Sequence, residues 1–97
     1  MKSIAYNVKV DKVIIKVLDQ IYDYCISYFG NYNFGKKVYL EIVKVHDVIK
    51  ENPKLYKEIK RNHHKVSLIN VGYNLYYKID DTSKCIVIYA LKSHKQN

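Results

Sequence analysis

Two apolar stripes of helical period, set on either side of one turn-prone tetrad, fix most of what this chain can fold into. Ile14, Val17, Leu18, Ile21, Cys25 and Tyr28 recur every three or four residues, which lines them along one face of a helix. Lys12, Lys16, Asp19, Gln20, Asp23 and Ser27 occupy the remainder. Asp11 offers a side-chain oxygen to cap the helix start, and Gly30 is placed to end it, so a first helix is expected over residues 11–29. Val38, Ile42, Val45 and Ile49 form a second stripe, expected over residues 34–50. Its valines and isoleucines are weak helix formers, so here periodicity has to outweigh propensity. Asn52-Pro53 stops it, because the residue before proline is pushed out of the helical region. Gly30-Asn31-Tyr32-Asn33 is short enough that the two helices must return on each other as an antiparallel hairpin.

The period changes on both sides of this hairpin. In residues 4–10, Tyr6, Val8 and Val10 alternate with Asn7 and Lys9, the pattern of a half-buried strand. Residues 54–64 are lysine-rich and ambiguous; Leu55, Tyr56 and Ile59 fit either a short helical turn or an irregular segment. The last third reads as a β-meander: a strand over 65–70, a turn at Val71-Gly72, a strand over 73–79, a turn over 80–84 and a strand over 85–91, then a polar tail. Tyr73, Leu75, Tyr77 and Ile79 share one face of the middle strand, and Asn74, Tyr76 and Lys78 the other. The order is β-α-α-β-β-β, an α+β two-layer domain spanning 1–97, with the helical hairpin packed on a mostly antiparallel sheet. Ile14, Leu18, Ile21, Val38, Ile42, Val45, Leu75, Tyr77 and Ile88 are the expected core. The mixed face of the sheet is left free for function.

Charge narrows the function classes. The 97 residues carry 17 Lys+Arg against 9 Asp+Glu, a net charge of +8, and Arg61 is the only arginine. Such a surplus suits an anionic partner, whether nucleic acid, an acidic protein or a membrane surface, although lysines also simply keep a small protein soluble. An apolar content of 48% argues against disorder. No apolar run approaches a membrane span, and Met1-Lys2-Ser3 begins no signal peptide, so the cytoplasm is the expected location and no membrane partner is expected. Cys25 and Cys85, far apart and without metal-ligand spacing, are expected as free thiols, with neither metal nor cofactor. The 11 tyrosines fit two uses, stacking on bases or packing at core edges.

The carboxy-terminal pattern resembles the RelE/ParE superfamily of bacterial toxins from type II toxin–antitoxin modules. The stretch that carries the resemblance runs from His63-His64-Lys65-Val66-Ser67-Leu68 through Val71-Gly72 to Tyr73-Asn74-Leu75-Tyr76-Tyr77-Lys78-Ile79-Asp80. It is similar to that family's strand with a basic start, tight turn, and following strand of tyrosine-x-leucine-x-tyrosine-x-isoleucine. Ser93-His94-Lys95-Gln96-Asn97 resembles the family's tail, and the Asn52-Pro53 stop also fits. Where relatives commonly carry arginine, this chain has His64 or Lys65 and Lys95, and Asn74 stands where nuclease relatives often place one. Lysine keeps the charge but lacks the bidentate fork; asparagine lacks both.

The resemblance implies a toxin that cleaves messenger RNA in the ribosome without a metal. That chemistry needs a base, a cation on the phosphate and an acid for the leaving 5′-oxygen. His94, Lys95, Lys65 and His64 are the catalytic candidates, and Arg61, His63, Lys57, Lys60, Asn74, Tyr76 and Lys78 the RNA-binding ones. These groups are expected to converge on one end of the sheet. Two other readings stay open: a ParE-like inhibitor of DNA gyrase, suggested by the length of the helices, and a relative that only binds its antitoxin. All three imply an acidic antitoxin as partner. The plain alternatives are that His63-His64 is a solvated loop pair and that Lys54, Lys57 and Lys60 are ordinary surface; Asp80-Asp81 reads as a turn and Cys25 as core.

Overall fold

In the computed structural model, residues 5–95 are described; Ile4, where the first strand was expected to begin, and Gln96-Asn97 of the tail lie outside the described residues. Strand β1 (Asn7–Val10) leads into helix α1 (Lys12–Phe29), which is followed by α2 (Asn33–Glu51). The helix ends have the chemistry expected of them. Asp11 accepts a hydrogen bond from the Val13 N–H at 2.9 Å. Gly30 adopts φ 70°, a left-handed conformation that glycine takes without strain, and its N–H donates to the Ile26 carbonyl. Asn31 accepts from the Asn33 N–H, which starts α2 one residue earlier than the apolar stripe suggested.

Four further strands complete the sheet: β2 (Lys57–Lys60), β3 (His63–Leu68), β4 (Tyr73–Asp80) and β5 (Cys85–Ser93). Their spatial order is β1-β5-β4-β3-β2, antiparallel except for β1 on β5. The strand missing from the sequence reading is β2, within the segment left ambiguous. All four of its residues are exposed, so it carries no burial pattern; it joins the sheet by pairing with β3.

The helical hairpin covers one face of the sheet. Ile14, Ile21 and Cys25 of α1 and Val38, Ile42, Val45 and Ile49 of α2 meet Val66, Leu68, Leu75, Tyr77, Ile79, Ile86, Ile88 and Leu91. Two expectations differ in degree. Leu18 is only half-buried, at the rim of a groove between the helices, and Tyr28 is 71% exposed because the burial of α1 stops at Cys25.

Strict alternation would turn Leu91 away from Ile86 and Ile88. The β4–β5 register prevents this: Tyr77 faces Ile88, Tyr76 faces Ala90, and Tyr89 is the extra residue of a bulge between them. Leu91 thereby returns to the core opposite Leu75.

Leu75→Ala should lower stability by about 2–5 kcal/mol in urea denaturation, the usual cost of a cavity at a fully buried leucine. The Tyr77 hydroxyl donates to the Pro53 carbonyl at 2.7 Å, and burial pushes its pKa up to about 12. Tyr77→Phe should therefore cost about 0.5–1.5 kcal/mol and leave the strand register unchanged.

Candidate nucleic-acid interface

The sheet face turned away from the helices collects cations in cross-strand rows, because directly opposed residues point to the same side. One row is Lys60, His63, Lys78 and Val87; the next is Lys57, Lys65, Tyr76 and Ala90; the third is Ser67, Asn74 and Lys92. A register shift between Glu58 and Lys60 allows Lys57 and Lys60, three residues apart, to share this face. The nearest carboxylate on the same side of β4 is Asp80 at its end, whose oxygen is already occupied by the Thr82 and Ser83 N–H groups. The two helices together carry six lysines and five acidic residues, so most of the positive surplus lies elsewhere.

At the centre of the face is an aromatic group. Tyr76 and Tyr89 lie 6.2 Å apart between ring centroids, and the Lys92 ammonium is 5.7 Å from the Tyr76 ring. The Tyr89 hydroxyl is 3.0 Å from Nδ1 of His63, with the rings edge to face at 5.5 Å. Desolvation lowers the pKa of His63, and the positive charges of Lys60 and Lys78 lower it further. Burial, then Tyr76, raises that of Tyr89. The face thus holds a neutral-leaning imidazole beside a protonated phenol, among lysine side chains.

Adjacent His64 does something different. It lies on the helix side of β3, 3% exposed, stacked on Tyr77 at 5.0 Å and 9°. Its Nδ1–H donates to the Tyr56 carbonyl at 2.9 Å, since a carbonyl only accepts. The sequence reading placed His64 among the catalytic candidates; its side chain is instead committed to the core and does not reach the open face. His63-His64 is also not a loop pair, because both residues belong to β3.

The expected convergence on one end does not occur. β3 and β5 both run antiparallel to β4, so the start of β3 and the end of β5 lie at opposite ends. His94 Nε2 is 3.3 Å from the Ser67 hydroxyl, four residues along β3 from His63, or about 13 Å at strand rise. Lys95 is exposed beside it, its N–H donating to Ser93 Oγ. Arg61 is exposed in the β2–β3 turn at the His63 end. The interface therefore has two ends, with Lys65, Asn74 and Tyr76 between them.

Tyr89 and Lys92 were absent from the sequence reading. Alternation from Ile86 and Ile88 does put Tyr89 on the open face, and that signal was there to use. Lys92 falls on the core side by the same count, and only the bulge brings it out.

A helical hairpin on one face of a five-stranded, mostly antiparallel sheet is the fold shared with solved RelE and ParDE structures. The chain is similar to a chromosomal ParDE toxin–antitoxin system from P. aeruginosa, with a TM-score of 0.73, 16% identity and coverage of 94% of this chain and 98% of that one. It is also similar to the isolated E. coli RelE toxin (TM-score 0.61, 14% identity, 96% and 88% covered). The archaeal RelE–RelB complex from Pyrococcus horikoshii gives 0.58 at 17% identity, with 96% and 99% covered. No family model and no curated protein matches the sequence.

In an NMR titration His63 should have a pKa below the ordinary value of about 6.5. Lys60→Gln/Lys78→Gln should move it upward by removing two neighbouring positive charges. Folding favours the neutral ring, so its share of stability is complete above about pH 6.5 and is lost as the pH falls through the lowered value.

Proposed function

We propose that the chain is the toxin of a type II toxin–antitoxin pair and that it cleaves messenger RNA, bound in the ribosome, on the open face of its sheet. The observation that carries this reading is His63, held toward its neutral form between Lys60 and Lys78 and in contact with Tyr89. A neutral imidazole is suited to take the proton of a 2′-hydroxyl. As the 2′-oxygen bonds to phosphorus, Lys65 and Lys78 stabilise the added negative charge. The bond to the 5′-oxygen breaks, and a lysine ammonium or the Tyr89 phenol supplies its proton. None of these steps requires a metal ion. His94 and Lys95, at the far end, are assigned to the strand beyond the scissile phosphate, and Arg61, Lys57 and Lys60 to the strand before it. His64 is assigned the structural task its burial indicates.

One observation favours a second reading. The ParDE likeness has the higher TM-score, 0.73 against 0.61 for RelE, and helices of 18 and 19 residues suit a ParE-like inhibitor that binds DNA gyrase without catalysis. Expression in a bacterial host, with transcript 5′ ends mapped alongside a plasmid supercoiling assay, separates the two. On the nuclease reading, His63→Ala or Lys65→Ala reduces cleavage on the order of 10²–10³-fold while the thermal transition is retained. Wild-type cleavage by the His63→Ala/Lys65→Ala double variant would rule that assignment out. Growth arrest with intact transcripts and relaxed plasmid transfers the function to gyrase.

The expected partner in either case is an acidic antitoxin. The charge of +8 speeds encounter with an acidic chain, and the exposed edges of β1 and β2 are templates for an added strand. Co-expression with a small acidic reading frame from the same operon should restore growth, and the two chains should co-purify on one tag.

A further inference from the structure

We infer that a cavity on the helix side of the sheet binds a small aromatic carboxylate, with its ring between α1 and the β3–β4 turn and its carboxylate at Lys95. The site is separate from the open face, and it stands whichever way the toxin acts.

The cavity has a volume of 560 Å³, inside the range of about 300–1,000 Å³ usual for small-molecule sites. Its walls are apolar: Val17 and Ile21 of α1, Phe34 of α2, Val71 of the turn and Leu91 of β5. Ile21, Val71 and Leu91 belong to the buried core, and walls already fixed by packing need little ordering when a ligand enters. The turn and the tail that close the cavity are held as well. The Val71 and Gly72 N–H groups both donate to the Leu68 carbonyl, and the His94 N–H donates to the Gly72 carbonyl at 2.8 Å. The His94 ring is tied to Ser67 on the far side of the sheet, so the tail wraps the sheet end and does not fill the cavity.

The polar groups select the ligand. Tyr73 reaches the cavity from β4 and is half-buried. Burial raises its pKa, and Cys25 and Tyr24 raise it further, so the phenol keeps its proton and acts as a donor. Among the described residues that line the cavity none is Asp or Glu, and Lys95 carries the one formal charge. Asp19 and Asp23 belong to α1 but not to this lining. An anion is therefore met by a donor and a cation, whereas a cation meets Lys95 and a net charge of +8. Phe34, Tyr24 and Tyr73 supply aromatic surface, which favours a flat ring over an alkyl chain through offset or edge contacts. The groove between the helices differs: it is also apolar, at Ile15, Leu18 and Tyr39, but Asp47 stands on its rim and no lysine does. It provides a comparison within the same molecule.

The test titrates the full, isotope-labelled chain with 2-naphthoate and, separately, with its uncharged isostere 2-naphthamide, following backbone amide shifts by NMR. A ligand of this size should bind with a Kd of about 1 mM or lower. Saturable shifts should centre on Gly72, Tyr73, Leu91 and Lys95, and the carboxylate should bind more tightly than the amide. Lys95→Gln should weaken the carboxylate by roughly 2- to 5-fold and leave the amide unchanged. Val17→Trp, which fills the cavity, should abolish binding of both. If Val17→Trp does not fold, the comparison of the two ligands on Lys95→Gln still decides. Absence of saturable shifts overturns the inference, as do shifts centred on Ile15 and Tyr39, or an amide that binds as tightly as the carboxylate. Equal affinity of Lys95→Gln and wild type for the carboxylate also overturns it. So does binding at this cavity by a peptide of alternating Glu and Leu when 2-naphthoate does not bind, which would give the cavity to a protein chain.

Discussion

The extra residue in β5 decides which side chains meet the helices and which meet the solvent. Upstream of it, Ile86 and Ile88 face the hairpin; downstream, Leu91 does, one position out of step. A regular strand would expose Leu91 and drive the Lys92 ammonium toward the apolar layer, where an unpaired charge is strongly disfavoured. The bulge resolves both conflicts together. It also leaves Tyr89 beside Tyr76 and His63 and sends Lys92 to the same surface. Core packing and the chemistry of the open face therefore depend on one irregularity in the ladder.

The two adjacent histidines show how far a strand separates neighbours. His63 is surrounded by lysines and a tyrosine hydroxyl, and its environment disfavours the proton. His64 lies flat on Tyr77 and binds the Tyr56 carbonyl, fixing the segment that leaves α2 against the sheet. Tyr77 holds the same segment through Pro53. The strand that carries the solvent-facing imidazole is thus anchored through the residue next to it.

Much of this was legible in the sequence. The apolar stripes and their stops located both helices within a residue or two, and the alternation in β4 set its faces correctly, because burial imposes a period on those segments. Edge strand β2 was not legible, since a strand with no buried residue leaves no pattern to read. The same limit applied to the site. Asn74, Tyr76 and Lys78 followed from the alternation of β4, whereas His63 lay before a strand expected to begin at residue 65, so its open side was not read. The burial of His64 was not legible either, because a strand expected to begin at residue 65 gave it no side. The separation of His94 from His63 follows from β3 and β5 running in the same direction, and a meander viewed only as consecutive hairpins hides that relation.

The order of the strands has a consequence for how the molecule is made. β5, synthesised after the other four strands, lies between β1, the earliest of the five, and β4. Until it emerges, β1 has no neighbour in the sheet and the apolar side of the helical hairpin lacks Ile86, Ile88 and Leu91. Contacts between the two ends of a chain are the slowest to form, and uncovered apolar surface is where nascent chains aggregate. A truncated chain would therefore lack both its finished core and Tyr89. The complete surface comes into being only once β5 has emerged, after both helices and the other four strands.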